Sequence, residues 1–279
     1  MTTIRTARIP PAPHIAVDHA GQGELLLFIH GIGGNRGNWR RQIEHFSPRF
    51  LAAAMDVRGW GDSDDYEGAY DFDAIVGDVA RVLGHFGAAS AHLVGLSMGG
   101  LIAQHLLWRR PELALSAVLV DSMSGPGDEH DAQWIAEFLR LRKAPLLAGA
   151  TPAEIAPTVA RSLLGRQATE ASYEELRASI AALHKASYMK ALDAVSGYRR
   201  KLDPSRVTQP VHVMVGEDDR LTPASAAHAL AASFPNARVD IVPAAGHLSN
   251  IENPEAFNRL LGAFLRDAVS GHRGAAPRR

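Results

Sequence analysis

The sequence predicts an α/β fold with a mostly parallel central sheet flanked by helices and a helical block inserted between two parts of that sheet. Three observations predict it. Short apolar runs alternate with helix-like stretches as far as Asp121, the pattern of repeated βαβ units. Strand character then lapses from about Ser122 to Asp203. It returns in two further runs, each ending in a turn rich in glycine or acidic residues.

In chain order, "ELLLFI" (Glu24 to Ile29) reads as a buried strand and runs into the glycine-rich "HGIGGNRGNW". "FLAAAMD" (Phe50 to Asp56) is the next strand, followed by the turn "VRGWGDSD". "AHLVGL" (Ala91 to Leu96) leads into Ser97, and "GLIAQHLLWRR" after it reads as a helix ended by Pro111. "LSAVLVD" (Leu115 to Asp121) is a further strand. In the helical block, "TPAE" (Thr151 to Glu154) combines an N-cap threonine, proline at the first helical position and a capping-box glutamate. "SYEE" (Ser172 to Glu175) repeats that signature, with Leu176, Ile180 and Leu183 following on one face. Strands resume at "PVHVMVGEDD" (Pro210 to Asp219) and "RVDIVPAAGH" (Arg238 to His247). A last helix opens at Asn253-Pro254 and buries Phe257, Leu260, Leu261, Phe264 and Leu265. The expected organisation is a core of residues 1–122 and 204–279, with residues 123–203 forming a helical lid over the C-terminal sheet edge, where open α/β sheets bind ligands.

The chemistry gathers at the turns. Gly95-Leu96-Ser97-Met98-Gly99 fits G-x-S-x-G between a strand and a helix, where a tight turn presents the serine hydroxyl and needs small residues two positions either side. A serine needs a base, and the base an acid to orient it. His247 follows the last strand in a glycine-containing loop, unlike His85, His92 and His105, which sit in or near helices and strands. Asp219 is the candidate acid, and Asp121, which ends a strand at the same edge, is its rival. The order Ser97, Asp219, His247 is the one that serine triads take where the nucleophile sits on a G-x-S-x-G strand-to-helix turn. The oxyanion of an acyl transfer needs backbone donors; the candidates are the N–H groups of Met98 and Ile32. His30 reads as a brace for its loop, and Asp56 and Arg58 as ties between neighbouring loops.

Taken together, His30-Gly31, the turn from Asp56 to Ser63, Gly95 to Gly100, Gly216 to Pro223 and Gly246-His247 resemble the α/β-hydrolase superfamily. The resemblance extends from about Ile15 to Leu265. Within that superfamily the motifs are most similar to small bacterial esterases and enol-lactonases, the 3-oxoadipate enol-lactonase group included. It implies cofactor-free hydrolysis of a carboxylic ester or lactone through an acyl-enzyme. Haloalkane dehalogenases and epoxide hydrolases share the fold but use a carboxylate nucleophile, so serine at position 97 argues against both. Carbon–carbon bond hydrolases of dienoic ring-cleavage products and perhydrolases also use a serine triad and stay open as alternatives. A non-enzymatic hydrolase-like ligand receptor is the alternative of a different class.

Composition narrows the remaining classes. The chain is 46% hydrophobic and 21% charged with a formal net charge of -1, an ordinary globular balance without the basic surplus of a nucleic-acid binder. It contains no cysteine, which removes disulfides, thiolate metal sites and a thiol nucleophile. There is no H-E-x-x-H and no G-x-x-x-x-G-K-[ST], and Ser97 stands where a dinucleotide fingerprint needs glycine. No metal or cofactor is expected. No apolar run is long enough to span a bilayer, and the N-terminal stretch lacks a signal-peptide core; a cytoplasmic protein acting on a small-molecule ester or lactone, without membrane or nucleic-acid partners, is expected. A homo-oligomer is possible but not readable. In the helical block Trp134, Phe138, Leu141, Leu146 and Tyr188 suit either an apolar pocket or a lid core. Arg140, Arg142 and Lys143 suit either an exposed basic face or attraction of an acid group.

Overall fold

The computed structural model describes residues 2–125, 132–199 and 203–274. Eight strands form one sheet: β1 (Arg5–Ile9), β2 (Ile15–Ala20), β3 (Leu25–Ile29), β4 (Leu51–Met55), β5 (Ala91–Leu96), β6 (Ala114–Val120), β7 (Val211–Gly216) and β8 (Ala237–Val242). Their spatial order is β1-β2-β4-β3-β5-β6-β7-β8. From β4 to β8 all pairs are parallel, with Leu27 opposite Ala53 and Leu93, and Val118 opposite His212. The first two strands add antiparallel pairs, β1 with β2 and β2 with β4. Neither was expected from the sequence, because "RTARI" is a half-exposed edge strand with no apolar run to mark it.

Helices α1 (Arg40–Phe46), α2 (Phe72–His85) and α3 (Met98–Arg109) connect the strands of the first half. Four more, α4 (Ala132–Leu147), α5 (Pro152–Leu163), α6 (Glu170–Ala181) and α7 (Lys185–Ser196), lie between β6 and β7, and α8 (Ala224–Ala232), α9 (Ser249–Glu252) and α10 (Pro254–Gly274) complete the chain. The strands of the sheet centre are mostly apolar and fully buried in β3, β5 and β7, with one histidine each in β5 and β7, as a parallel sheet covered on both faces requires. α3 is buried from Met98 to Leu107. On the sheet, Phe28 of β3 stacks on Trp39 with ring centroids 4.9 Å apart, and Trp39 meets Phe257 of α10 at 6.0 Å. That ladder fixes the glycine-rich loop after β3 to the C-terminal helix.

Capping follows the sequence in α5 and departs from it in α6. Thr151 and Glu154 form the expected capping box. The cap of α6 is Thr169, whose side chain accepts from the Ser172 N–H, so Ser172 lies inside the helix and not before it. Glu175, the expected box partner, turns instead to Arg41 at 2.6 Å. A cross-element ion pair took the carboxylate that a local cap would have used.

Because β3, β5, β6, β7 and β8 run parallel, their C-terminal ends open onto one edge. The turns carrying Gly31, Ser97, Asp121, Asp219 and His247 all leave from it.

Candidate active site

Ser97 is the single residue between β5 and α3, and its backbone has φ 54° and ψ -112°. That positive φ is strained for any residue with a Cβ, by about 1–3 kcal/mol, and the surroundings hold it. The Ser97 N–H donates to the Val120 carbonyl at 2.8 Å, and Ser122 Oγ donates to the Ser97 carbonyl at 2.9 Å. The turn closes because its flanks have no side chains. A Cβ on Gly95 would stand 2.1 Å from the Gly99 carbonyl oxygen, and one on Gly99 would stand 2.3 Å from the Ile29 carbonyl oxygen.

His247 lies five residues beyond β8 in a loop tied back by its own N–H, which donates to the Leu163 carbonyl at 2.9 Å. Its Nε2 is 3.0 Å from Ser97 Oγ and its Nδ1 is 2.8 Å from Asp219 Oδ2. The carboxylate at Nδ1 assigns the proton to that nitrogen, leaving Nε2 to accept from the serine hydroxyl. Asp219 follows β7 in a short turn. Its Oδ1 accepts from the Leu221 and Thr222 N–H groups at 2.8 and 3.0 Å, and its Oδ2 accepts from Thr222 Oγ1 at 2.6 Å.

The electrostatics reinforce this arrangement. Burial is the largest influence on Asp219 and pushes its pKa up, but the charge and hydrogen bond of His247, with the Thr222 donors, bring it below its ordinary value. Burial likewise pulls His247 down, yet Asp219's charge and hydrogen bond and the charge of Asp121 together leave it above 6.5. Asp121, the rival acid, faces elsewhere. Its Oδ1 accepts from the Gly216 N–H at 2.8 Å, and its Oδ2 accepts from the N–H and Oγ of Ser249 at 3.1 and 2.7 Å. Burial, and then the charge of Asp219, push its pKa up to about 8.

The N–H groups of Ile32 and Met98 have no acceptor among the described residues, and both residues line the same cavity as Ser97 and His247. The loop bearing Ile32 is held from several sides. Trp60 Nε1 donates to the Ile32 carbonyl at 3.1 Å. His30 donates from Nδ1 to the Gly31 carbonyl at 2.8 Å and accepts the Val57 N–H on Nε2 at 3.0 Å. Burial lowers its pKa, in keeping with a neutral ring that both donates and accepts. Asp56 accepts from the N–H of Arg36 at 2.7 Å and of Asp62 at 2.9 Å, and pairs with the Arg36 guanidinium. Arg58 grips Asp78 through two bonds of 2.6 and 2.7 Å.

The cavity beside Ser97 is walled mainly by apolar side chains, among them Leu96, Met123, Phe138, Val159 and Leu163. Phe138 and Tyr188 therefore line it, whereas Leu141 is exposed and Leu146 packs in the core. The side chain of Trp134 lies outside the described residues. Among the described residues, no three His, Asp or Glu side chains converge to hold a metal ion, and no helix is long and apolar enough to cross a membrane.

A family model for the alpha/beta hydrolase fold matches residues 24–254. The chain belongs to that family. This α/β hydrolase is 27% identical over 262 residues to 3-oxoadipate enol-lactonase 2 of Acinetobacter baylyi, covering 91% of this chain and 95% of the relative. It is 28% identical to 2-(acetamidomethylene)succinate hydrolase of Mesorhizobium japonicum, covering 89% and 90% of the two chains. A solved thermophilic esterase from Thermogutta terrifontis shares the fold, with a TM-score of 0.81 at 23% identity over 95% of this chain and 99% of that one.

Sequence reasoning on this α/β hydrolase missed the supports behind the site. Thr222 was legible in principle, as a hydroxyl three residues after a turn aspartate. Glu252 was not: its Oε1 accepts from Gly246 and Leu248 and its Oε2 from Gly165, at 3.0, 3.2 and 2.8 Å, and no local pattern announces a carboxylate shared by the His247 loop and the end of α5. His92 and His105, passed over as the base because they sit in or near helices and strands, bond Ser116 at 2.8 Å and Asp73 at 2.9 Å.

Proposed function

We propose that the protein is a serine hydrolase that cleaves a carboxylic ester or lactone through an acyl-enzyme, with residues 123–203 serving as the lid over its cavity and no cofactor taking part. The observation that carries this reading is the continuous chain Ser97 Oγ, His247 Nε2, His247 Nδ1, Asp219 Oδ2, with links of 3.0 and 2.8 Å. Ser97 Oγ attacks the carbonyl carbon as His247 Nε2 takes its proton. Asp219 keeps the imidazole in the productive tautomer and stabilises its cation. The developing oxyanion accepts from the Ile32 and Met98 N–H groups, and each such donor is worth about 10²–10³ in turnover. The Met98 amide also opens α3, so the positive end of the helix dipole faces that oxygen. His247 returns the proton to the leaving oxygen, and a water activated the same way releases the acid.

A fluorophosphonate probe tests the nucleophile. It labels Ser97 in the native protein and leaves Ser97→Ala unlabelled; labelling that survives the substitution assigns the nucleophile to another residue. Steady turnover of a simple ester then separates an enzyme from a receptor, which gives at most a single burst.

A further inference from the structure

Arg142 projects from α4 into the cavity that Ser97 and His247 line, and it is 5% exposed. Its guanidinium carbon lies 4.2 Å from the Phe138 ring centroid, but among the described residues it has no hydrogen-bond or ion-pair partner. Two other cations of this helix, and two other largely buried arginines, do have one. On the same helix Arg140 pairs with Glu137 at 2.6 Å and Lys143 pairs with Asp193; Arg36 and Arg58, both largely buried, hold aspartates. A second group points the same way. Ser196, at the end of α7, lines this cavity with a buried Oγ that has no partner.

A guanidinium stays charged in a protein, and a buried charge without a counter-charge is strongly unfavourable. Its planar fork matches a carboxylate through two parallel bonds. Among the described residues, the cavity lining holds no lysine, no second arginine and no carboxylate. One buried positive charge balances one negative charge, which suits a carboxylate over a phosphate dianion. We infer that Arg142, assisted by Ser196, forms a subsite for a free carboxylate, so that the ester or lactone cleaved at Ser97 carries a second, ionised acid group at the far end of an aliphatic spacer. The cleavage half of this inference rests on the proposed role of Ser97; the anion subsite does not. Arg142's charge also reaches His247, where it opposes protonation, so the two groups lie within electrostatic reach of each other.

The test uses monomethyl and dimethyl esters of succinic, glutaric and adipic acids. In the native enzyme the monomethyl ester of one chain length is preferred over its dimethyl ester in kcat/KM, and in Arg142→Met that ratio falls on the order of 100-fold, the usual effect of removing one partner of a buried charged pair. Arg142→Lys keeps part of the preference. Because each ratio is internal to one variant, loss of folded protein cancels. Calorimetric binding of the same esters to Ser97→Ala, with and without Arg142→Met, reads the subsite without chemistry. Binding preference that depends on Arg142 supports the subsite even where no ester is turned over, in which case the Ser97 reading is the one that falls. Equal binding of mono- and diester by Ser97→Ala, or a preference that survives Arg142→Met, overturns the inference while leaving the Ser97 reading intact.

Discussion

Glu252 accepts the Gly246 N–H at 3.0 Å, which places a half-buried carboxylate directly behind the loop that carries His247. The same side chain accepts from Leu248 and, on its other oxygen, from Gly165 at the end of α5. Three donors that would otherwise be orphaned converge on one acceptor. The position of the imidazole therefore depends on a residue that never touches Ser97.

Replacing Glu252 by glutamine keeps the size but turns one acceptor oxygen into a donor that faces an N–H. Leaving such a buried donor unsatisfied costs about 1–3 kcal/mol. Glu252→Gln is expected to lower the unfolding free energy by that amount in denaturant titrations and to cut kcat more than KM, because His247 is misplaced while the cavity walls remain. Unchanged stability and turnover would show that the loop holds itself.

The pH profile follows from His247. Catalysis needs the imidazole neutral, and although its burial favours that form, Asp219 and the charge of Asp121 raise its pKa above 6.5. The activity of the free enzyme, read as kcat/KM on a neutral ester, is thus low in acid, rises with pH and reaches half its plateau above pH 6.5. Asp219, held below the usual carboxylate range, stays ionised throughout this rise. A half-point well below 6.5 would mean that the Asp219 bond does not govern the base.

The site was legible in the sequence where sterics act over neighbouring residues and illegible where partners meet across the fold. Ser97 stood out because only glycine fits at positions 95 and 99, a constraint written within five residues. His247 stood out because a loop histidine after a strand has no packing role to explain it. The sequence favoured Asp219 over Asp121 without showing what separates them: both follow adjacent parallel strands, and the difference is that Ser249 and Gly216 engage Asp121 while the turn to Thr222 swings Asp219 toward His247. The antiparallel β1 escaped notice because an edge strand buries only part of its side chains, and β2 because its apolar run is broken by Asp18 and His19. Arg142 was indistinguishable from Arg140 and Lys143 until the helix showed which of the three faces inward.

The same five-residue constraint makes Gly95 intolerant of a methyl group. A Cβ there would press on the Gly99 backbone, which no rotamer change relieves. Gly95→Ala is expected to lose about 3 kcal/mol of stability, at the upper end of overpacking costs, and most turnover. Gly84 is the control: it lies inside α2 with nothing within 4 Å of a Cβ. Gly84→Ala should gain about 0.5–1 kcal/mol from helix propensity and reduced unfolded-state freedom. Thermal melts of the two variants read both signs, and similar behaviour of the pair would remove the steric account of the turn.

The last expectation separates the two carboxylates. Asp219→Asn keeps the shape of the side chain but allows its amide to donate toward His247 Nδ1, which favours the tautomer with the proton on Nε2, where it cannot accept from Ser97. In the serine-protease example of this change turnover falls about 10⁴-fold, and a loss of that order is expected here with the fold retained. Asp121→Asn removes no bond to the imidazole. Its amide oxygen still accepts the Gly216 N–H, while its nitrogen meets Ser249, whose hydroxyl can rotate to accept but whose N–H cannot. The cost is one strained contact, about 1 kcal/mol, and turnover should stay within about tenfold of native. Measuring kcat/KM for both variants on one ester, with circular dichroism to check folding, gives the comparison. A larger loss in Asp121→Asn than in Asp219→Asn, with both folded, would transfer the role of the acid to Asp121 and leave Ser97 and His247 where they are.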